Sequence, residues 1–93
     1  MNDSYKMQII MKNAIIDWYL EEQGISVTID NVYVVWYSKT LQNHKALLST
    51  INDDGLYFEC TYDGDKEEMY LDAYEKLNNT SISKSRFNDK INF

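Results

Sequence analysis

From Asp3 to Gln23 the apolar residues Met7, Ile10, Met11, Ala14, Ile15 and Trp18 recur at steps of three and four. That spacing draws one stripe along an α-helix and turns Asp17, Glu21 and Glu22 to solvent. Ser4 or Asp3 has the short polar side chain that an N-cap uses, and Gly24 supplies the residue at which a helix can close. The Met and Trp stripe reads as core, because such a stripe most often faces a sheet.

Past Gly24 the pattern changes. ISVTIDN is short and β-branched, either a brief strand or an extended linker. From there the apolar period is two, which predicts strands at about Asn31–Ser38, His44–Ile51, Gly55–Tyr62 and Glu67–Ala73. KTLQN, NDDG and DGDK join them with the Asn, Asp and Gly chemistry of hairpin turns. Consecutive hairpins make an antiparallel meander. The chain from Tyr74 to Asn79 either forms a short helix or prolongs the last strand, and the tail from residue 80 to 93 is polar and weakly periodic. It is expected to be mobile, or to order against a partner through Phe87, Ile91 and Phe93.

Strand parity separates the side chains into two sets. Val32, Val34 and Trp36 fall on one side of the first strand, and Tyr33, Val35 and Tyr37 on the other. The third strand divides into Leu56, Phe58, Cys60 and Tyr62 against Tyr57, Glu59 and Thr61. The fourth divides into Met69, Leu71 and Ala73 against Tyr70, Asp72 and Tyr74. One long helix covers one face of such a sheet, and the aliphatic face is its natural partner. The expected architecture is α+β: an N-terminal helix packed on one face of a four-stranded antiparallel meander, one domain over residues 1–79, followed by the polar tail. Tyr33, Tyr37, Tyr57, Tyr70 and Tyr74 are then left on a face without a second long helix. That face either takes the C-terminal segment, packs on another copy of the chain, or binds a ligand or partner.

Composition narrows these choices. The chain has 93 residues and 44% hydrophobic content, enough for one core. No apolar run approaches the roughly 18 to 20 residues that span a bilayer, and the N-terminus lacks the succession of a signal peptide. No membrane association is expected, and the cytoplasm is the expected compartment. Cys60 is alone, which excludes an internal disulfide, and with one His there is no zinc-ligand set. Its parity with Leu56 and Phe58 makes Cys60 a buried, inert thiol. A net charge of −6 argues against direct nucleic-acid binding.

The charge is unevenly spread. Residues 31–52 hold Lys39 and Lys45 and no carboxylate, whereas residues 53–75 hold nine carboxylates against Lys66, a balance of −8. Within the acid-free window SKTLQNHK gathers ammonium, hydroxyl, amide and imidazole groups, the donor inventory for an anion. A solvated hairpin tip explains the same composition. The segment also lacks the glycines of a phosphate-binding loop. His44 beside Asp53 or Asp54 has the composition of a general base with its orienting group, and Ser49 or Thr50 that of a nucleophile. A lone histidine beside a turn is nonetheless usually a surface residue. The carboxylates around Gly64 lack the full ligand pattern of a calcium loop, so neither a metal nor a cofactor is expected.

VYVVWYSKTLQNHKALLST and DGLYFECTYDGDKEEMYLDAYEK resemble a family of small phage-encoded proteins of unknown function from phages of Gram-positive bacteria, over about residues 31–76. The resemblance implies a phage accessory protein working in the cytoplasm of an infected bacterium. Small phage proteins of this kind commonly act by binding, and many counter bacterial immunity, by blocking a host effector or by sequestering a nucleotide-derived signal. The leading expectation is therefore a non-enzymatic anti-defence protein that sequesters a nucleotide-like or phosphorylated molecule. Tyr33, Trp36, Tyr37 and Tyr57 are its stacking candidates, and Lys39, Thr40, Gln42, Asn43 and Lys45 its polar donors. A homo-oligomer, dimer or higher, is expected. The alternative is an acidic inhibitor of a basic host defence protein or nuclease, in which Asp63, Asp65, Glu67, Glu68 and Asp72 imitate a nucleic-acid backbone. A structural or replication-module accessory protein is the third reading.

Overall fold

The computed structural model describes residues 3–88. Helix α1 (Asp3–Gln23) leads through a 3-10 turn (Ile29–Asn31) into strands β1 (Val32–Thr40), β2 (Asn43–Thr50), β3 (Leu56–Asp63) and β4 (Glu68–Glu75), and a short helix α2 (Lys84–Asn88) follows. The strands form one antiparallel sheet in the order β1-β2-β3-β4. This is the expected α+β meander.

α1 stops where the glycine predicts. Gly24 takes φ 65°, its N–H donates to the Leu20 carbonyl at 3.1 Å, and Ile25 N–H donates to Tyr19 at 3.2 Å. At the other end both Asp3 and Ser4 already lie within the helix, so Ser4 is not its cap. ISVTIDN is no strand. Val27 is buried from an extended stretch, and Thr28 then bonds Asn31 through its backbone N–H and its hydroxyl, tightening the chain into the 3-10 turn. Beyond β3 the chain does not form a helix at 74–79; β4 is prolonged to Glu75 instead. The polar tail contains α2, where Phe87 lies, while Ile91 and Phe93 fall outside the described residues.

The core lies between α1 and the sheet. Met11, Ile15 and Tyr19, four residues apart on one helical line, are fully buried against Val32, Ala46, Leu48, Phe58 and Cys60. Ile10 is half exposed, so the buried stripe is rotated from the expected one and ends on a residue, Tyr19, that the apolar pattern left out. Trp18 lies edge-on to Tyr19 and Phe58, with ring centroids at 5.2 and 5.0 Å. Each such aromatic contact contributes about 0.5–1.5 kcal/mol beyond area burial.

One irregularity alters the parity of β1. Val34 pairs with Leu48 and Trp36 with Leu47, so Val35 is an extra residue, a β-bulge. After it every side chain changes face. Tyr37 joins Ala46 and Cys60 beneath α1, and Trp36 moves to the open face beside Leu47. The expected grouping of Trp36 with the core and of Tyr37 with the open tyrosines is therefore reversed. The open face carries Tyr33, Trp36, Tyr57, Tyr70 and Tyr74.

Candidate functional site

The segment SKTLQNHK is the end of a tight hairpin. β1 runs to Thr40 and β2 starts at Asn43, leaving only Leu41 and Gln42 as the turn. Leu41 takes φ 57°, at the first turn position, where a two-residue hairpin ordinarily places glycine. A short turn keeps the alternation of strands up to the tip, so the donors divide between two faces. Ser38, Thr40, Asn43 and Lys45 accompany Trp36 on the open face, whereas Lys39 and His44 accompany Tyr37 on the α1 side.

The tip is tied to the β3–β4 loop. Asn43 accepts a hydrogen bond from Gly64 N–H through its side-chain oxygen at 2.9 Å, and the Gln42 amide donates to Asp65. Gly64 rests directly on the turn: a Cβ there would lie 2.3 Å from the Gln42 carbonyl oxygen. Gln42 thus spends its amide on the fold, while Asn43 keeps its NH2 group.

On the open face Trp36, Ser38, Thr40, Asn43, Lys45 and Thr61, with His44 at its edge, line a shallow cleft of about 390 Å³. Trp36 is 43% exposed and forms its apolar wall. Lys45 pairs with Glu59 at 3.4 Å, with half of the lysine side chain in water. Exposed pairs contribute about 0.2–1 kcal/mol, so the ammonium can exchange Glu59 for a ligand oxyanion. Tyr33 and Tyr57 lie further along the face, by a separate cleft that also includes Asn52 and Lys76.

The family comparison adds the frame for these positions. A family model matches residues 8–84, from the second turn of α1 through β4 to the start of α2. The chain belongs to DUF6275, a family of unknown function. The match is wider than the strand segment 31–76 and includes the helix that builds the core. No curated protein and no solved structure matches the chain.

In this DUF6275 chain the residues considered for catalysis are engaged elsewhere. His44 is 6% exposed, contrary to the surface position expected beside a turn. The bulge turns Tyr37 beneath α1, where its hydroxyl bonds His44 Nδ1. Burial first, and the nearby Lys39 second, lower the pKa of His44, against an opposing pull from Asp3. Asp54 does not orient His44: it accepts a hydrogen bond from the Tyr19 hydroxyl at 2.6 Å. Ser49 donates to the Leu56 carbonyl at 2.8 Å, and the Thr50 hydroxyl lies 3.4 Å from that of Tyr19. Burial and Asp54 together push the Tyr19 phenol up to about 12. Burial likewise pushes the Cys60 thiol up to about 12, in keeping with an inert thiol in the core.

The acidic residues gather at the β3–β4 end and along β4. Asp63 accepts hydrogen bonds from the N–H groups of Asp65 and Lys66, Asp65 accepts from Gln42, and Glu68 accepts from the Tyr70 hydroxyl. Glu67 holds φ 54° in the same loop, and Asp72 stands beside Glu59 on the open face. Among the described residues no group of His, Cys, Asp and Glu has the arrangement of a metal site. No described helix is long and apolar enough to cross a membrane.

Proposed function

We propose that the chain is a non-catalytic binding protein that holds a nucleotide-derived or phosphorylated small molecule in the Trp36–Lys45 cleft. The observation that carries this reading is the bulge at Val35, which brings Trp36 to the unshielded face beside Ser38, Thr40, Asn43 and Lys45. An exposed indole offers a stacking platform for a base. Hydroxyl, amide and ammonium groups beside it supply the directional bonds for ribose or phosphate. Tyr33 and Tyr57 extend the aromatic surface, while Tyr37, Lys39 and Gln42 lie outside this cleft. Binding without chemistry is supported by the engagement of His44, Ser49 and Thr50 within the fold.

The resemblance to small phage proteins extends this reading to sequestration of an immune signal in the cytoplasm of an infected bacterium, by a homo-oligomer, dimer or higher. The test is to purify the protein from bacteria with an active nucleotide-signalling defence, denature it, and identify released small molecules by mass spectrometry. Wild type is expected to release a stoichiometric ligand, and Trp36→Ala and Lys45→Ala to retain about tenfold less or lower, the scale of one lost stacking contact. A wild-type protein that protects phage yet releases nothing sinks the proposal. Recovery instead of a basic host protein, dependent on Asp63, Asp65, Glu67, Glu68 and Asp72, would favour the acidic inhibitor.

A further inference from the structure

On the opposite side of the same hairpin lies a second cleft, of about 480 Å³, between the first two turns of α1 and the two hairpin tips. Asp3, Lys6, Met7 and Ile10 border it from α1 at the three- and four-residue steps of one helical face. Lys39, Leu41, His44 and Tyr62 close it from the sheet side. We propose that this cleft binds a small organic oxyanion, a phosphate ester or carboxylate with an apolar body, independently of the Trp36 cleft.

Charge is the first reason. Two ammonium groups, Lys6 and Lys39, face one carboxylate, Asp3, so the cleft carries +1 in a chain of −6. Among the described residues the ion pair found is Lys45 with Glu59, so neither Lys6 nor Lys39 is spent on a carboxylate. Their side chains are exposed and come from different elements, and can converge on one oxyanion.

The second reason is His44. It is the one buried polar side chain in the cleft wall, its ring set between those of Tyr37 and Tyr62 with centroids at 5.9 and 5.8 Å. When the Tyr37 hydroxyl donates to Nδ1, the neutral ring carries its proton on Nε2 and becomes a fixed donor. A charged imidazolium would be disfavoured here by burial and by Lys39. An oxyanion beside the ring reverses the second effect. Met7, Ile10 and Leu41 supply the apolar walls, and the 80% exposure of Leu41 gives the body of a ligand a surface to cover.

The test uses phenyl phosphate and inorganic phosphate as probes, with His44 ring nitrogens followed by NMR. Phenyl phosphate is expected to shift the His44 resonances saturably and to move the His44 titration upward. The groups facing that ring, Asp3 and Lys6 from α1, Tyr37 and Lys39 from β1, and Tyr62 from β3, set its baseline in the free protein. Inorganic phosphate should bind about tenfold more weakly, because it leaves the apolar wall uncovered. The double variant Lys6→Ala/Lys39→Ala should keep the wild-type Tm, since both side chains are exposed, and lose phenyl phosphate binding by about tenfold or more. Trp36→Ala should leave the saturable, Lys6- and Lys39-dependent shift of His44 in place, whatever phenyl phosphate it loses from the open face. Unchanged affinity in the double variant, or silence of His44 at saturating phenyl phosphate, overturns the assignment. Loss in Trp36→Ala with full binding in the double variant overturns it as well, while leaving the open-face reading intact.

Discussion

Tyr19 ties the end of α1 to the loop between β2 and β3. Its ring is fully buried in the core, and its hydroxyl reaches outward to Asp54. Removing that hydroxyl in Tyr19→Phe keeps the packing and loses a charge-assisted hydrogen bond, a cost of about 1.5–3 kcal/mol. Burial of the phenol, with the Asp54 bond second, gives stability a pH dependence whose sign is fixed. The folded phenol has a pKa of about 12 against an ordinary 10.0, so the folded state holds its proton more tightly. The contribution is whole below pH 10 and is lost as pH rises toward 12. Denaturant unfolding at several pH values should therefore show Tyr19→Phe destabilised at pH 7. Its difference from wild type should shrink on the alkaline side, and a difference independent of pH up to 12 would contradict the coupling.

At the scale of elements the two hairpin tips form a docked pair, and two residues test it in opposite directions. Leu41 sits in the left-handed region, which costs a side-chain-bearing residue roughly 1–2 kcal/mol. Glycine removes that penalty and adds back about 0.5–1 kcal/mol of unfolded-state entropy. Leu41→Gly is therefore expected to raise stability by up to about 1.5 kcal/mol. Gly64→Ala should lower it by about 1–3 kcal/mol, because the new methyl meets the backbone of Gln42 and not a movable side-chain end. Calorimetry on both variants checks the pair; a neutral Gly64→Ala would mean that the tips separate freely.

The element boundaries were largely readable from period and turn chemistry: α1 from its three- and four-residue steps, the four strands from alternation, the helix stop from Gly24. The bulge was not. Alternation in VYVVWY continues through Val35 with apolar residues on both sides, so nothing local marks the extra residue; it becomes visible only when β2 fixes the partners. The misplacement of Trp36 and Tyr37 follows from that one insertion. It sends Trp36 outward and Tyr37 inward, and Tyr37 in turn provides the partner of the buried His44. Sequence marked the acid-free segment as a donor cluster but had no means of dividing it between two faces, because a two-residue turn was hidden in KTLQN without a glycine.

Across the whole molecule the uneven charge becomes a division of the sheet. Residues 31–52 form the β1–β2 hairpin and residues 53–75 supply the β3–β4 hairpin, so a cationic half and a strongly anionic half meet along the β2–β3 seam. Lys45–Glu59 and Gln42–Asp65 cross it. Packing is divided in the same sense, since α1 lies chiefly over β1 and β2, while β4 pairs with β3 alone and exposes Tyr70, Asp72, Tyr74 and Glu75. Charged side chains on that outer strand discourage pairing with another sheet edge. A fold built this way should open from one side. In native-state hydrogen exchange the amides of β2 around Ala46 and Leu48, fully buried and paired on both flanks, should exchange only on global unfolding. Amides of β4 should exchange through a smaller opening, with a lower free energy and a weaker dependence on denaturant. Added salt should narrow the gap by screening repulsion within the acidic half. If β4 amides match those of β2 in free energy and denaturant dependence, the sheet unfolds as one unit and the proposed polarity of stability is wrong.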